Sequence, residues 1–295
     1  MNQPVRFWGI DIKTTIHYTR DMNIASILKF PCIFLTVAAL LCGCATDVMT
    51  GKSTMAFVSN KQLFSMASDQ YAQTLNESTV VKGTLNAEML SNVGWKLVRA
   101  AEKLVTAQGS PNHFADYRWE FTLIESKDIN AWAMPGGKIA FYTGILPVTQ
   151  NEAGIAVVMG HEIAHAILNH GQQRMSAELL QQAGLTGTSI LLGGSGLSPE
   201  IQSLSMTAFG VGSNVFGTLP FSRKHEDEAD LLGLKLMAIA GYAPSEAVSF
   251  WERMNALGGG GGGPAWLSTH PSHENRIKNL KDSIPKAMET AAQFR

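Results

Sequence analysis

The chain has 295 residues, 45% apolar and 16% charged, a composition that excludes a disordered or collagen-like protein. A formal net charge of -1 provides no basic field for nucleic acid and no acidic tail. All three cysteines, Cys32, Cys42 and Cys44, lie near the N-terminus, so the remainder can hold neither a disulfide framework nor a cysteine-based zinc site.

In chain order, the first feature is an apolar run over 30–41, preceded by Lys29. Its length suits the apolar core of an export signal and falls short of the roughly 20 residues that span a bilayer. It ends in Leu41-Cys42-Gly43-Cys44, which resembles a bacterial lipobox, although Cys42 stands where a small or aliphatic residue is usual. Cleavage before Cys44 makes 1–43 a signal peptide and puts the lipid on Cys44, whose several acyl chains anchor far better than one. Met22 gives a more conventional start than Met1. Ala45, in place of Asp, favours the outer membrane over the inner.

Residues 44–59 are small and polar, as a lipidated tether is expected to be, and a helical pattern begins near Asn60. A second, amphipathic pattern covers 86–107, with Leu90, Val93, Leu97, Ala101 and Leu104 on one face. Alternation over 118–124 reads as a strand, and 130–142 as two short strands about Pro135-Gly136-Gly137. Asn151 is placed to cap one long helix over 152–175. Residues 184–219 are rich in Gly and Ser and receive no assignment, beyond being too interrupted to span a membrane. Helical patterns return over 222–240, 244–257 and 272–292, and the six glycines at 258–263 form a flexible loop. The expected organisation is one domain over 60–295.

The chemistry centres on His161-Glu162-Ile163-Ala164-His165 inside an apolar helical run. Residues i and i+4 share a helix face, so both imidazoles reach one ion. Glu162 is rotated by about 100° and sits beside that ion, placed to take a proton from water. A buried glutamate between two histidines is costly without a compensating cation. A catalytic zinc site needs a third protein ligand. His170 fails as that ligand, because the metzincin spacing requires a Gly and a His at positions that hold Leu168 and Gly171. The segment Ser222-Arg223-Lys224-His225-Glu226-Asp227-Glu228-Ala229-Asp230 offers better candidates. Glu226 and Asp230 are again i and i+4, so one can bind the metal while the other orients a ligand histidine. Glu228 on the same helix is the rival ligand.

Taken together, the HExxH run and the S-R-x-x-E-x-E-A-D run some sixty residues later resemble metallopeptidase family 48. Asn130-Ala131 with Pro135-Gly136-Gly137-Lys138-Ile139 is similar to the family's edge-strand segment, and Thr269-His270-Pro271 followed by Arg276 is similar to its C-terminal segment. The resemblance covers about 60–285. It implies an α+β, mostly helical zincin fold of the gluzincin kind, with a small mixed sheet packed on the active-site helix.

It further implies one Zn2+ held by His161, His165 and Glu226, with Glu162 as general base and Asp230 behind the ligands. His270 is expected near the metal, either stabilising the oxyanion or blocking the open position at rest; from the residues alone, His273 is as plausible. Arg276 is expected to pair with an acidic group near the site. The strand at Asn130 and Ala131 is expected to bind an extended polypeptide substrate by β-augmentation. The implied function is zinc-dependent endopeptidase quality control of misfolded or stalled envelope proteins. Its setting is the periplasmic face of the outer membrane of a Gram-negative bacterium, with the outer-membrane protein assembly machinery as a partner and no nucleic acid. The alternative is a client-binding assembly factor with little proteolytic turnover.

Overall fold

The computed structural model describes residues 44–186, 221–258, 263–271 and 275–295. The expectations for the signal segment 1–43, most of 184–219, part of the glycine loop and His273 lie outside the described residues. The elements run β1 (Cys44–Thr46), β2 (Ser53–Met55), α1 (Asn60–Asn76), β3 (Val80–Val81), α2 (Leu85–Ala107), β4 (Glu120–Ile124), β5 (Ala131–Met134), β6 (Lys138–Tyr142), α3 (Leu146–Thr149), α4 (Glu152–Ile167), α5 (His170–Thr186), α6 (Arg223–Ile239), α7 (Glu246–Leu257), α8 (Ala265–Thr269) and α9 (Arg276–Ala292). The architecture is α+β and mostly helical, as expected. None of the described helices is long and apolar enough to cross a membrane. The stretch read as a tether carries the two-stranded β1–β2 sheet.

The main sheet has the order β3-β4-β6-β5. β4 and β6 run parallel, while β3 and β5 pair antiparallel with β4 and β6. Pro135-Gly136-Gly137 turns β5 into β6, and it can do so because both glycines take positive φ, 81° and 92°, at no Cβ penalty. β5 is thereby left as an outer strand.

The helices start where local chemistry lets them. Ser59 and Gln62 form a capping box at α1, Thr84 caps α2, and Asn151 Oδ1 accepts the Gly154 amide at 3.0 Å to open α4. Every residue of α4 from Gly154 to Ile167 is buried, so it is the central helix of the core, packed between α2, α6, α7 and the sheet. The single helix expected over 152–175 is two. It breaks at Leu168 and Asn169, where Asn169 takes φ 51°, a left-handed conformation that Asn tolerates better than most side chains. Gln173 Nε2 donates to the Leu168 carbonyl at 2.8 Å, satisfying an orphaned acceptor at the helix end.

The crossing of α4 and α6 sets the position of the site. Gly160 and Gly233 meet there, and a Cβ built on Gly233 would lie 3.2 Å from Gly160 C and from His161 N. Those neighbours are backbone atoms and cannot rotate away. Gly233→Leu is therefore expected to destabilise the fold by about 1–3 kcal/mol through overpacking. It should also weaken zinc binding, because the wedge separates His161 from α6; urea unfolding and chelator competition measure the two effects.

Candidate metal centre

One turn apart on α4, His161 and His165 are each 3% exposed, with their Nε2 atoms 3.0 Å apart. Glu226 enters from the first turn of α6, held there by the Ser222 cap. Its Oε2 lies 3.4 Å from His161 Nε2 and its Oε1 3.4 Å from His165 Nε2. His270, at the end of α8, places Nδ1 3.1 Å from both His161 Nε2 and Glu226 Oε1. All four side chains are buried.

The chemistry of this donor set fits a cation. His161 Nδ1 lies 2.9 Å from Asp230 Oδ1; a carboxylate only accepts, so Nδ1 carries a proton, and the neutral ring that binds a metal presents its lone pair at Nε2. That lone pair converges with carboxylate oxygens and a second ring nitrogen, which repel one another unless a positive charge lies between them. Donors about 2.0–2.1 Å from a tetrahedral zinc are roughly 3.3 Å from each other, close to the spacings here. Among the described residues, this is the one group of such side chains able to hold a metal.

Arg276 organises the acidic half of the site. It is fully buried and binds Asp230 with two hydrogen bonds, Nε to Oδ2 and Nη2 to Oδ1, each 2.8 Å. Nη1 donates to Glu226 Oε2, also at 2.8 Å, and the guanidinium lies 3.7 Å over the Trp251 ring. Burial pushes the Asp230 carboxyl up, but Arg276 and His161 outweigh it and hold it below the usual range. Burial likewise opposes ionisation of Glu226, and His270 and His161 outweigh it. For His161, burial pulls the imidazole down while Glu226 and Asp230 push it up, to about 9. The metal-free site thus prefers a protonated His161, whose stabilising effect is complete below about 6.5 and is lost as pH rises through 9. His165 shifts the other way: burial and then the charge of His161 hold it well below the ordinary value.

Glu162 is 1% exposed and projects beside the donors. Its Oε1 accepts a hydrogen bond from Trp266 Nε1 at 3.1 Å and lies 3.4 Å from His270 Nε2. Sequence reasoning did not single out Trp266, whose contact with Glu162 spans 104 residues of sequence. Glu228, the rival ligand, stands apart from the four donors and contacts His170 and Lys52 instead. Asn130 and Ala131 are buried at the start of the outer strand β5, and Asn130 Oδ1 accepts the Ala131 amide. A small pocket between the end of β5 and His165 is lined by Met134, Pro135, His165 and Phe221. Cys44 is exposed.

A model of peptidase family M48 matches residues 95–284. The chain is 36% identical over 191 residues to the mitochondrial metalloendopeptidase OMA1 of Schizosaccharomyces pombe, covering 64% of this chain and 52% of that protein. It is 28% identical over 250 residues to the mitochondrial metalloendopeptidase OMA1 of Homo sapiens, covering 81% and 46%. It is also 28% identical over 222 residues to the beta-barrel assembly-enhancing protease of Escherichia coli, covering 72% and 42%. The chain spans about half or less of these relatives' length. The matched region contains both α4 histidines, Glu226, His270 and Arg276, and so encloses the whole donor set: the chain belongs to peptidase family M48, a family of zinc metallopeptidases.

Proposed function

We propose that the chain is a zinc-dependent endopeptidase in which His161, His165 and Glu226 hold one zinc ion and Glu162 is the general base. The observation that carries this reading is the buried Glu162 carboxylate beside a convergent set of metal donors. Zinc, when bound, supplies a Lewis acid that polarises a peptide carbonyl and acidifies water. Glu162 accepts the water proton and returns it to the departing amine. Asp230 fixes the His161 ring, and Arg276 holds Asp230 and Glu226 together. The β5 backbone aligns an extended polypeptide, and His270 lies close enough to Glu162 and the donors to stabilise the oxyanion or to cover the open position.

The physiological reading is quality control of misfolded or stalled envelope proteins on the periplasmic face of the outer membrane, with the lipid on Cys44. It is supported by the lipobox-like run at 41–44 and by similarity to a beta-barrel assembly-enhancing protease. The mitochondrial relatives share the domain and lend the location no support. One observation favours the second reading, a client-binding factor with little turnover: His270 makes a fourth buried protein donor, and closed four-donor sets are characteristic of structural zinc.

A casein-type substrate separates the two. Cleavage is expected to fall at least about tenfold with a chelator and to return with added zinc. Cleavage that persists in chelator overturns the metallopeptidase reading, and binding without cleavage by the zinc-loaded chain selects the second.

A further inference from the structure

The helix break at Asn169 has a chemical result. It turns the chain so that His170, the first residue of α5, faces back toward α4 and not along it. Its Nδ1 comes to lie 2.9 Å from His165 Nδ1, with the two rings edge-to-face at 72°. His170 is fully buried and stacks on His225 at a centroid distance of 4.3 Å. Its other nitrogen, Nε2, makes no hydrogen bond but lies 3.4 Å from Glu228 Oε2. Glu228 in turn pairs with Lys52, just ahead of β2, at 3.2 Å.

Only one proton arrangement suits these contacts when His165 serves as a metal donor. His165 Nε2 must then offer a lone pair, so its proton is on Nδ1. His170 Nδ1 is the atom within reach, and it must accept. The His170 proton is therefore on Nε2, the nitrogen that faces the Glu228 carboxylate. Both tautomers follow from the geometry once His165 Nε2 is a metal donor, and the chain of donors ends on a negative charge.

We propose that His170 is a positioning residue for the metal donor His165, with Glu228 setting the His170 tautomer from behind. This rests on the reading of the site as a metal centre. The two donor histidines are then oriented by parallel devices. His161 gives its Nδ1 proton directly to the Asp230 carboxylate, and His165 gives its own to an imidazole that stands in front of a carboxylate. Such outer partners lock ring orientation and raise the basicity of the metal-facing nitrogen, and losing one typically costs about 10–100-fold in metal affinity. This gives distinct duties to the two groups that fit no ligand role: His170, with the wrong spacing to bind the ion, and Glu228, held away from it.

The test is zinc affinity of the full chain, measured by competition with a chelator and read beside the unfolding temperature of the metal-free proteins. His170→Leu leaves the His165 Nδ1 proton without an acceptor and is expected to weaken zinc by about 10–100-fold. His170→Asn places an amide where Nδ1 was and is expected to restore affinity to within a few-fold of wild type. His170→Gln places its amide where Nε2 was and is expected to remain as weak as the leucine variant. Glu228→Gln is expected to weaken zinc only a few-fold, since it acts one step removed. The Asn-versus-Gln comparison excludes a purely structural role, which would track the unfolding temperatures of the two variants and not the amide's position. It also keeps the test decisive if the leucine variant does not fold. Equal affinities for His170→Asn and His170→Gln, or wild-type affinity in His170→Leu, overturn the proposal while leaving the metal centre intact. A wild-type chain that binds no zinc overturns the metal reading itself.

Discussion

Glu162→Gln is expected to lower peptide hydrolysis by about 10²–10⁴-fold, the usual contribution of a positioned general base, while the chain keeps its zinc. The substitution is nearly isosteric. Its amide oxygen can still accept the indole hydrogen bond from Trp266, whose Nε1 is 3.1 Å from Oε1, so the surroundings of this buried position have no reason to rearrange. His161 and His165 keep their orienting partners, Asp230 and His170, and so the donor set is unaltered. What is lost is basicity alone: an amide does not take a proton from water at neutral pH. Steady-state cleavage of a casein-type substrate and metal content per chain check the two halves separately. Full activity in this variant would remove Glu162 from the mechanism; loss of metal along with activity would make its role structural.

Arg276→Met is expected to cost about 3–5 kcal/mol of folding stability, the typical result of removing one partner from a buried ionic group. Met retains an apolar stem against Trp251, so the loss is mainly electrostatic. Without the guanidinium, Asp230 loses two hydrogen bonds and Glu226 one, and a buried and a part-buried carboxylate are left one helical turn apart. Part of the cost returns when zinc neutralises Glu226, so the defect measured by urea unfolding should be larger in the metal-free protein than in the zinc-loaded one. The pH dependence follows from the same contacts. Asp230 and Glu226 are both held below their ordinary range in the folded protein. Each therefore stabilises the fold above its unfolded pKa and loses that effect as pH falls through the folded value. Removing Arg276 raises the folded value of Asp230, so acid unfolding of the variant is expected to begin at a higher pH than in wild type. A variant with wild-type urea and acid midpoints would show that the clamp contributes nothing.

The helices were legible because their signals are local. The apolar face of 86–107 and the Asn151 cap are patterns within a few turns, and α2 and α4 start within a residue of the positions those patterns indicate. The break at Asn169 was not legible. Leu168 and His170 continue the apolar and polar rhythm of a helix, and nothing in composition distinguishes an Asn that takes φ 51° from one that does not. That single backbone choice changes His170 from a residue with the wrong spacing into one that touches His165.

Trp266 was missed for a related reason: its indole reaches Glu162 across 104 residues of sequence, a distance over which periodicity carries no information. Glu226 and Glu228 presented the same ambiguity in a milder form. Two carboxylates on nearly opposite faces of one helix are indistinguishable as ligands until the partner helix shows which face it meets.

The amino-acid sequence by itself determined the two imidazoles on one helix face, the acidic helix that follows and the family resemblance, because i,i+4 geometry is intrinsic to any α-helix. Only the tertiary structure decided which carboxylate meets those imidazoles, and how each ring is turned. The close crossing at Gly160 and Gly233 brings α6 against His161, and Arg276 then holds Glu226 and Asp230 facing inward. Those are contacts between segments far apart in sequence, set by which backbones can approach closely and which buried charges find a partner.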